Sequence, residues 1–289
     1  MEYLIYVTTL ACIYVILASS LNLVVGYSGI FSFAHAAFYG IGAYTAAILT
    51  TKLGLNFLPA IVAGIAITAA IGAAVGIPAL RTGGDYFILA CLAFQLVTTR
   101  VFNNWVDVTG GPYGIFGIPR PRILDLSLSS GILYLPLALV CALLVVFACR
   151  RLIMSPYGLT LQAIREDEMV AQVLGRDVTL AKIIIFAISG GMAAIAGGLY
   201  AYYLGVVDPG SFGIPEIILM WAMIFVGGTG SLKGPVLGAV LLIFLPQALR
   251  LLGLQGAKAG EAQQMVYGLA LVLLVLFRPH GLAGKYRVE

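Results

Sequence analysis

Between Glu2 and Lys52 the chain carries no Asp, Glu, Lys or Arg. A stretch this long without charge cannot present a polar face to water, so lipid or other protein must solvate it. Most of the remaining chain has the same character. Of 289 residues 61% are hydrophobic and 10% charged, against about 25% charged in a soluble domain. The mean hydropathy is +1.05. In lipid every backbone group needs an internal partner, which helices supply. The expected fold is therefore all-α. It is a polytopic integral membrane protein with about nine (8–10) transmembrane helices, forming a single domain over 1–289.

A crossing takes about 20 mostly apolar residues. By that ruler the spans are 3–25, 34–51, 57–80, 86–102, 131–149, 182–203, 215–229, 234–252 and 263–277. The segment 215–229 is too short for a simple rod. The N-terminal run is too long for a cleaved signal and has Glu2 where such signals carry positive charge, so it is expected to be the first span. Lys and Arg set the orientation. Arg150, Arg151, Arg165, Arg176 and Lys182 place the loop 150–181 in the cytoplasm, and Arg278, Lys285 and Arg287 place the C-terminus there too. Counting back puts Arg81 inside and Glu2 outside. The loop 103–130, with Thr109-Gly110-Gly111-Pro112, Pro119 and Pro121, becomes the external excursion; Arg120 and Arg122 in it run against the charge rule. The basic residues thus set orientation and do not suggest nucleic-acid binding.

The glycine-rich run Gly26 to Tyr44 brings glycines, hydroxyls and one imidazole into an uncharged span. Backbone at membrane depth leaves the helix only where protein buries it or water fills a cavity, and glycine permits that departure. A broken helix lining a solute path fits this run, with Gly26, Ser28, Gly29, Ser32, His35, Gly40, Gly42 and Tyr44 on the path. Close packing of small residues, with His35 hydrogen-bonded to a neighbour, fits it as well. Asp85 is placed to cap a helix starting at Tyr86, and Glu216 to occupy the outer end of a span. The pairs Gly26/Gly29 and Gly227/Gly230 have the spacing of a two-fold internal repeat.

In the internal loop, Ile164, Val170, Val173 and Leu174 have the spacing of a short amphipathic helix that Gly175 ends. Its apolar stripe needs either its own bundle or a partner. Cys12, Cys91, Cys141 and Cys149 lie in apolar runs without metal spacing, and neither His35 nor His280 has a second ligand nearby in sequence. No catalytic set and no metal site is expected. Gly227 to Gly234 lacks the spacing and hydroxyl of a phosphate-binding loop.

Five strings occur in order: Gly26 to Tyr44, Gly84-Asp85-Tyr86-Phe87, Thr109-Gly110-Gly111, Ala163 to Glu168 with Leu174-Gly175, and Gly227 to Ser231. Together they resemble the permeases of branched-chain amino-acid ABC importers, of the LivM type, over most of the chain. The resemblance implies a non-enzymatic permease subunit of the prokaryotic cytoplasmic (inner) membrane. It would work by ATP-driven alternating access. Its implied partners are a second homologous permease, two cytoplasmic ATPase subunits and an extracytoplasmic solute-binding protein, within the lipid bilayer. ATP and Mg would sit on the ATPase subunits, with no cofactor on this chain. It also implies a role in ATPase coupling for Arg165, Glu166, Asp167, Glu168, Ala171 and Gly175, although the match to the general permease motif is loose. The resemblance leaves open a permease for urea or short amides, and the hydropathy also accommodates a sugar-type permease or a stand-alone secondary transporter or channel.

Overall fold

The computed structural model describes residues 2–82, 84–123, 126–127, 131–251, 268 and 281–284. The long helices are α1 (Glu2–Asn22), α2 (His35–Leu53), α3 (Phe57–Thr82) and α4 (Gly84–Asn104). After the short α5 (Val106–Thr109) come α6 (Gly131–Ile153), α7 (Pro156–Glu166), α8 (Glu168–Val173), α9 (Val178–Leu204), α10 (Ile214–Gly227) and α11 (Lys233–Leu251). The chain is an all-α polytopic membrane protein. Eight of the nine expected spans coincide with α1–α4, α6 and α9–α11. The ninth, 263–277, lies outside the described residues, as do His280, Arg278, Lys285 and Arg287.

Among the described residues five stretches are long and apolar enough to cross a bilayer: Glu2–Tyr27, Phe57–Ile77, Tyr86–Asn104, Gly131–Ile153 and Val178–Leu204. They divide by burial. The chain itself buries 67% of the first but 28% of those in α3, α4 and α6. So α1 is a central strut and the other three form a lipid-facing or partner-facing wall. The less apolar α2 is enclosed by neighbours, with His35, Phe38, Tyr39, Tyr44 and Thr50 all buried. Enclosure by protein lets this helix carry an imidazole and hydroxyls that lipid would penalise.

Small residues set the distances in this core. An added Cβ at Gly42 would stand 2.4 Å from Ala194 Cα, and one at Gly197 would stand 2.1 Å from the Tyr39 carbonyl oxygen. The backbones of α2 and α9 therefore touch, as membrane helices do when dispersion and close fit replace hydrophobic driving force. The hairpin of α10 and α11 is as tight: a Cβ at Gly238 would lie 1.9 Å from the Met223 carbonyl oxygen.

The predicted break is confined to residues 23–34. Beyond α1 the chain widens into a π turn, Leu23–Tyr27, and Gly29 takes φ 68°. Ser28 Oγ donates back to the Val24 carbonyl at 2.6 Å. Gly40 and Gly42 lie inside regular α2. Helix α4 starts at Gly84, so Asp85 falls within its first turn and not at the capping position before Tyr86.

The external loop is a set of short pieces. Thr109 Oγ1 donates to the Phe102 carbonyl at 2.7 Å, and Gly110 follows in the left-handed region at φ 77°. The two-residue strand β1 (Ile115–Phe116) pairs antiparallel with β4 (Val206–Val207), and β2 (Arg122–Ile123) pairs with β3 (Leu126–Ser127). From β4 the chain turns inward. Asp208 carboxylate oxygens accept from Ser211 N and Ser211 Oγ, both at 2.9 Å. Gln95 Nε2 on α4 donates to the Phe212 carbonyl at 2.7 Å. Phe212 packs on Tyr39 with ring centroids 4.9 Å apart. Tyr39 lies near the level of Tyr14, about 18 Å along α1 from Glu2. Helix α10 thus begins deep in the bundle, and its 14 residues give about 21 Å, less than a full crossing. Its position corrects the expectation that Glu216 sits at a span's outer end.

Gly197→Ala should lower stability by about 1–3 kcal/mol, because backbone on α2 cannot move aside. Gly64→Ala, whose nearest neighbour would be an ordinary 3.5 Å contact, should be neutral or stabilising by up to about 1 kcal/mol. Thermal unfolding of the two variants in detergent compares them directly.

Candidate functional site

At one end of the bundle three elements meet: the π turn after α1, the loop Gly228–Leu232 between α10 and α11, and the helix pair α7–α8. Asn22, the one amide side chain in the uncharged N-terminal span, makes the first link. Its Nδ2 donates to the Ser231 carbonyl at 3.0 Å and its Oδ1 accepts from Gly230 N at 3.1 Å. Both halves of the amide are used, which pays the cost of burying it. Gly26 faces this clamp. A Cβ there would lie 2.7 Å from Gly230 N, so the two chain segments meet backbone to backbone. The two glycine pairs suspected of marking a repeat thus lie against each other. Ser231 Oγ accepts from Gly234 N at 2.9 Å and starts α11.

Arg165 makes the second link. Its guanidinium Nη1 donates to the Gly26 carbonyl, and its Cγ would be 3.0 Å from a Cβ at Gly29. The last carbonyls of a helix lack intrahelical partners and carry the negative end of its dipole. A cation from another element therefore caps the broken end of the first span. Arg165 comes from α7, which Ser155 and Pro156 start and which buries Leu161 and Ile164 on the bundle.

The amphipathic helix expected across 159–174 is two helices. Asp167 interrupts it in an extended conformation, φ −158° and ψ 112°, and its side chain accepts from Met169 N and Val170 N. An aspartate that can cap a new helix competes with continuing the old one. Gly175, at φ 77°, ends α8. Arg176 N donates to the Ala171 carbonyl at 3.1 Å and Gly175 N to that of Gln172 at 2.9 Å, the paired bonds of a left-handed helix end. Ala171 is buried, while Glu166 is exposed. Glu168 reaches across to Lys182 of α9, Oε2 to Nζ 2.6 Å.

Of the apolar residues predicted to form the stripe, Ile164 is buried. Val170, Val173 and Leu174 are exposed, joined by Met169 at 75% and with Val173 at 87%. The helix pair thus rests on the bundle through α7 and presents an apolar tip through α8. Residues 282 and 283 return to this same end, where Leu282 N and Ala283 N donate to the carbonyls of Val226 and Gly227 at 3.0 and 2.9 Å.

The other expected path residues are enclosed by the chain. Ser28 and Ser32 are buried, and Ser32 Oγ accepts from Ala34 N at 3.2 Å. His35 Nε2 pairs with Ser20 Oγ at 2.8 Å. Gly40 faces Phe102 and Phe212, and the Tyr44 ring stacks on Phe102 at 4.3 Å. Sequence reasoning passed over Asn22, although a lone amide in an otherwise apolar span was a usable signal. It also passed over the aromatic stack of Phe31, Phe33 and Phe225 around Trp221, whose members come from distant segments. Among the described residues no cluster of His, Cys, Asp and Glu could hold a metal, and the four cysteines are free. At the opposite end a cavity of about 420 Å³ is lined by Glu2, Tyr6, Arg120, Tyr134, Tyr202 and Tyr203 among others.

The site is thus a bundle of apolar helices in which a surface helix pair reaches the broken end of a central span. The family model "Branched-chain amino acid transport system / permease component" matches residues 3–276. The chain is 35% identical over 306 residues to the high-affinity branched-chain amino acid transport system permease protein LivM of Salmonella typhimurium, covering 98% of this chain and 70% of that protein. It is 26% identical to the probable LivM of Methanocaldococcus jannaschii, over 93% and 90% of the two chains. It is 25% identical to LivH of Escherichia coli, over 97% and 94%. No solved structure matches. The chain belongs to the branched-chain amino-acid transport permease family, whose members are transport components and not enzymes.

Asp167→Ala should cost α8 about 1 kcal/mol, whereas Asp167→Asn keeps the acceptor and most of the cap. Faster amide exchange at Met169 and Val170 in the alanine variant alone is the expected signature.

Proposed function

We propose that this chain is one of two permease subunits of an ABC importer that carries branched-chain amino acids inward by alternating access. The contact that carries the proposal is Arg165 on the Gly26 carbonyl, because it joins a surface helix to the broken end of a central span. In this proposal α7–α8 faces the cytoplasm, as its basic surroundings require. The turn at 281–284 shares that end, which supports a cytoplasmic side for it in the same proposal.

The exposed tip of Met169, Val173 and Leu174 is the surface for a cytoplasmic ATPase subunit. An amphipathic helix that leaves its apolar residues uncovered is completed by a groove on a partner. ATP and Mg²⁺ belong to two such subunits. A second, homologous permease completes the solute path, and an extracytoplasmic binding protein delivers the solute to the end that carries Arg120.

Closure of the ATPase pair pushes on α8. The push divides between two contacts. One runs from Glu168 to Lys182 at the base of α9, which lies against α1, α2 and α3. The other runs from Arg165 to the π turn, where Gly26 and Gly29 leave no side chain between α7 and the broken backbone. In this proposal the π turn, held from outside by a cation and an amide clamp, is the element that shifts and passes the movement to α2 and to the path residues. Specificity among leucine, isoleucine and valine rests largely with the binding protein.

In the assembled transporter reconstituted in liposomes, Arg165→Ala should reduce ATP-driven leucine uptake about tenfold while assembly persists, a coupling loss in the ordinary 1–3 kcal/mol range. Val173→Asp should instead weaken ATPase co-purification. Uptake by the wild-type chain without any ATP-hydrolysing subunit would refute the importer assignment.

A further inference from the structure

Glu216 is an acidic side chain deep in the bundle that none of the contacts described above uses. It stands in the first turn of α10, which begins near the middle of the bundle. Gly213 before the helix makes no side-chain cap, and Glu216 does not supply one. Its carboxylate instead accepts a hydrogen bond from Tyr14 of α1. Among the described residues oxygen Oε1 is enclosed without a partner. Tyr39 of α2, fully buried, has a hydroxyl that is likewise enclosed and unpartnered among them. That hydroxyl is in electrostatic range of Glu216, Tyr14 and Tyr200. Neighbouring polar groups left unmatched in a low-dielectric interior are costly, and a ligand that donates to both would match them.

The position favours a ligand that travels. Glu216 is itself half-exposed, at the edge of the α10 face that this chain leaves open through Ile214, Pro215 and Ile218. An intramembrane carboxylate facing lipid is costly, and such groups face a partner or a water-filled path.

We infer that Glu216, with Tyr14 and Tyr39, forms a mid-membrane site for the primary ammonium group of an amino-acid solute. An ammonium brings three donors and no acceptor. It can give one N–H to Glu216 Oε1 and a second to the Tyr39 oxygen, while Tyr14 holds the carboxylate in place. The inference rests on the transport function proposed above and names the solute group the path would hold.

The test measures binding to the purified permease–ATPase complex without nucleotide or binding protein, so it is independent of ATP-driven uptake. The probes are leucine, 3-methylbutylamine, which keeps the ammonium and lacks the carboxylate, and 4-methylpentanoate, which has the reverse. Leucine and the amine should bind, and 4-methylpentanoate should not. Glu216→Gln should weaken amine binding by about tenfold or more, the loss expected for a charge-assisted bond. Tyr39→Phe, which preserves ring packing, should weaken it several-fold and serves as the deciding variant if Glu216→Gln does not assemble. Equal binding of 4-methylpentanoate, unchanged amine binding in Glu216→Gln or Tyr39→Phe, or displacement of the amine by sodium chloride but not by choline chloride would each overturn the proposal. Wild-type uptake that ignores ATP would instead defeat the importer assignment and leave the amine result standing.

Discussion

An unwound helix end inside a membrane bundle must find partners for its backbone, and the rest of this structure depends on how that is done at Gly26. The carbonyl of Gly26 cannot be left to lipid. Arg165 meets it from α7, and Asn22 ties the neighbouring loop at Gly230 and Ser231. The break therefore persists because three segments far apart in sequence hold it. One of the three is the surface helix pair, so the core break and that surface form one mechanical unit.

The glycines explain why this unit sits so tightly. At Gly26 and Gly29 the missing side chains admit the Gly230 amide and the Arg165 stem. At Gly42 and Gly197 the same absence lets α2 and α9 touch. These contacts shield α2 from lipid, and that shielding allows His35, Tyr39 and Tyr44 to occupy a transmembrane helix. The re-entrant segment before α10 follows the same logic. Its irregular backbone is matched by Asp208, Ser211 and Gln95, and it delivers Glu216 to the bundle's interior.

In the proposed mechanism helices in backbone contact move as rigid bodies, and the clamped break is where their relation changes. The α8 tip and the outer face of α10 both leave apolar side chains exposed, and they lie on different elements.

Much of the architecture was legible in the residues, since lipid imposes a simple ruler. Span positions, the glycine-rich break and the stop at Gly175 all follow from local chemistry: apolar run length, φ freedom and the absence of charge. The division of the internal helix at Asp167 was not legible, because aspartate fits a helix surface as well as a cap until packing chooses. The depth of Glu216 was not legible either, since a short apolar run after Pro215 looks alike at the surface or at mid-bundle. By itself the sequence determined that this chain is a helical membrane permease and where its backbone can break. Tertiary structure alone decided that Arg165 closes that break, that Asn22 clamps the second glycine loop, and that Tyr14 and Tyr39 surround Glu216. Those outcomes join residues separated by up to about two hundred positions, and such meetings come from helix packing, which no local preference encodes.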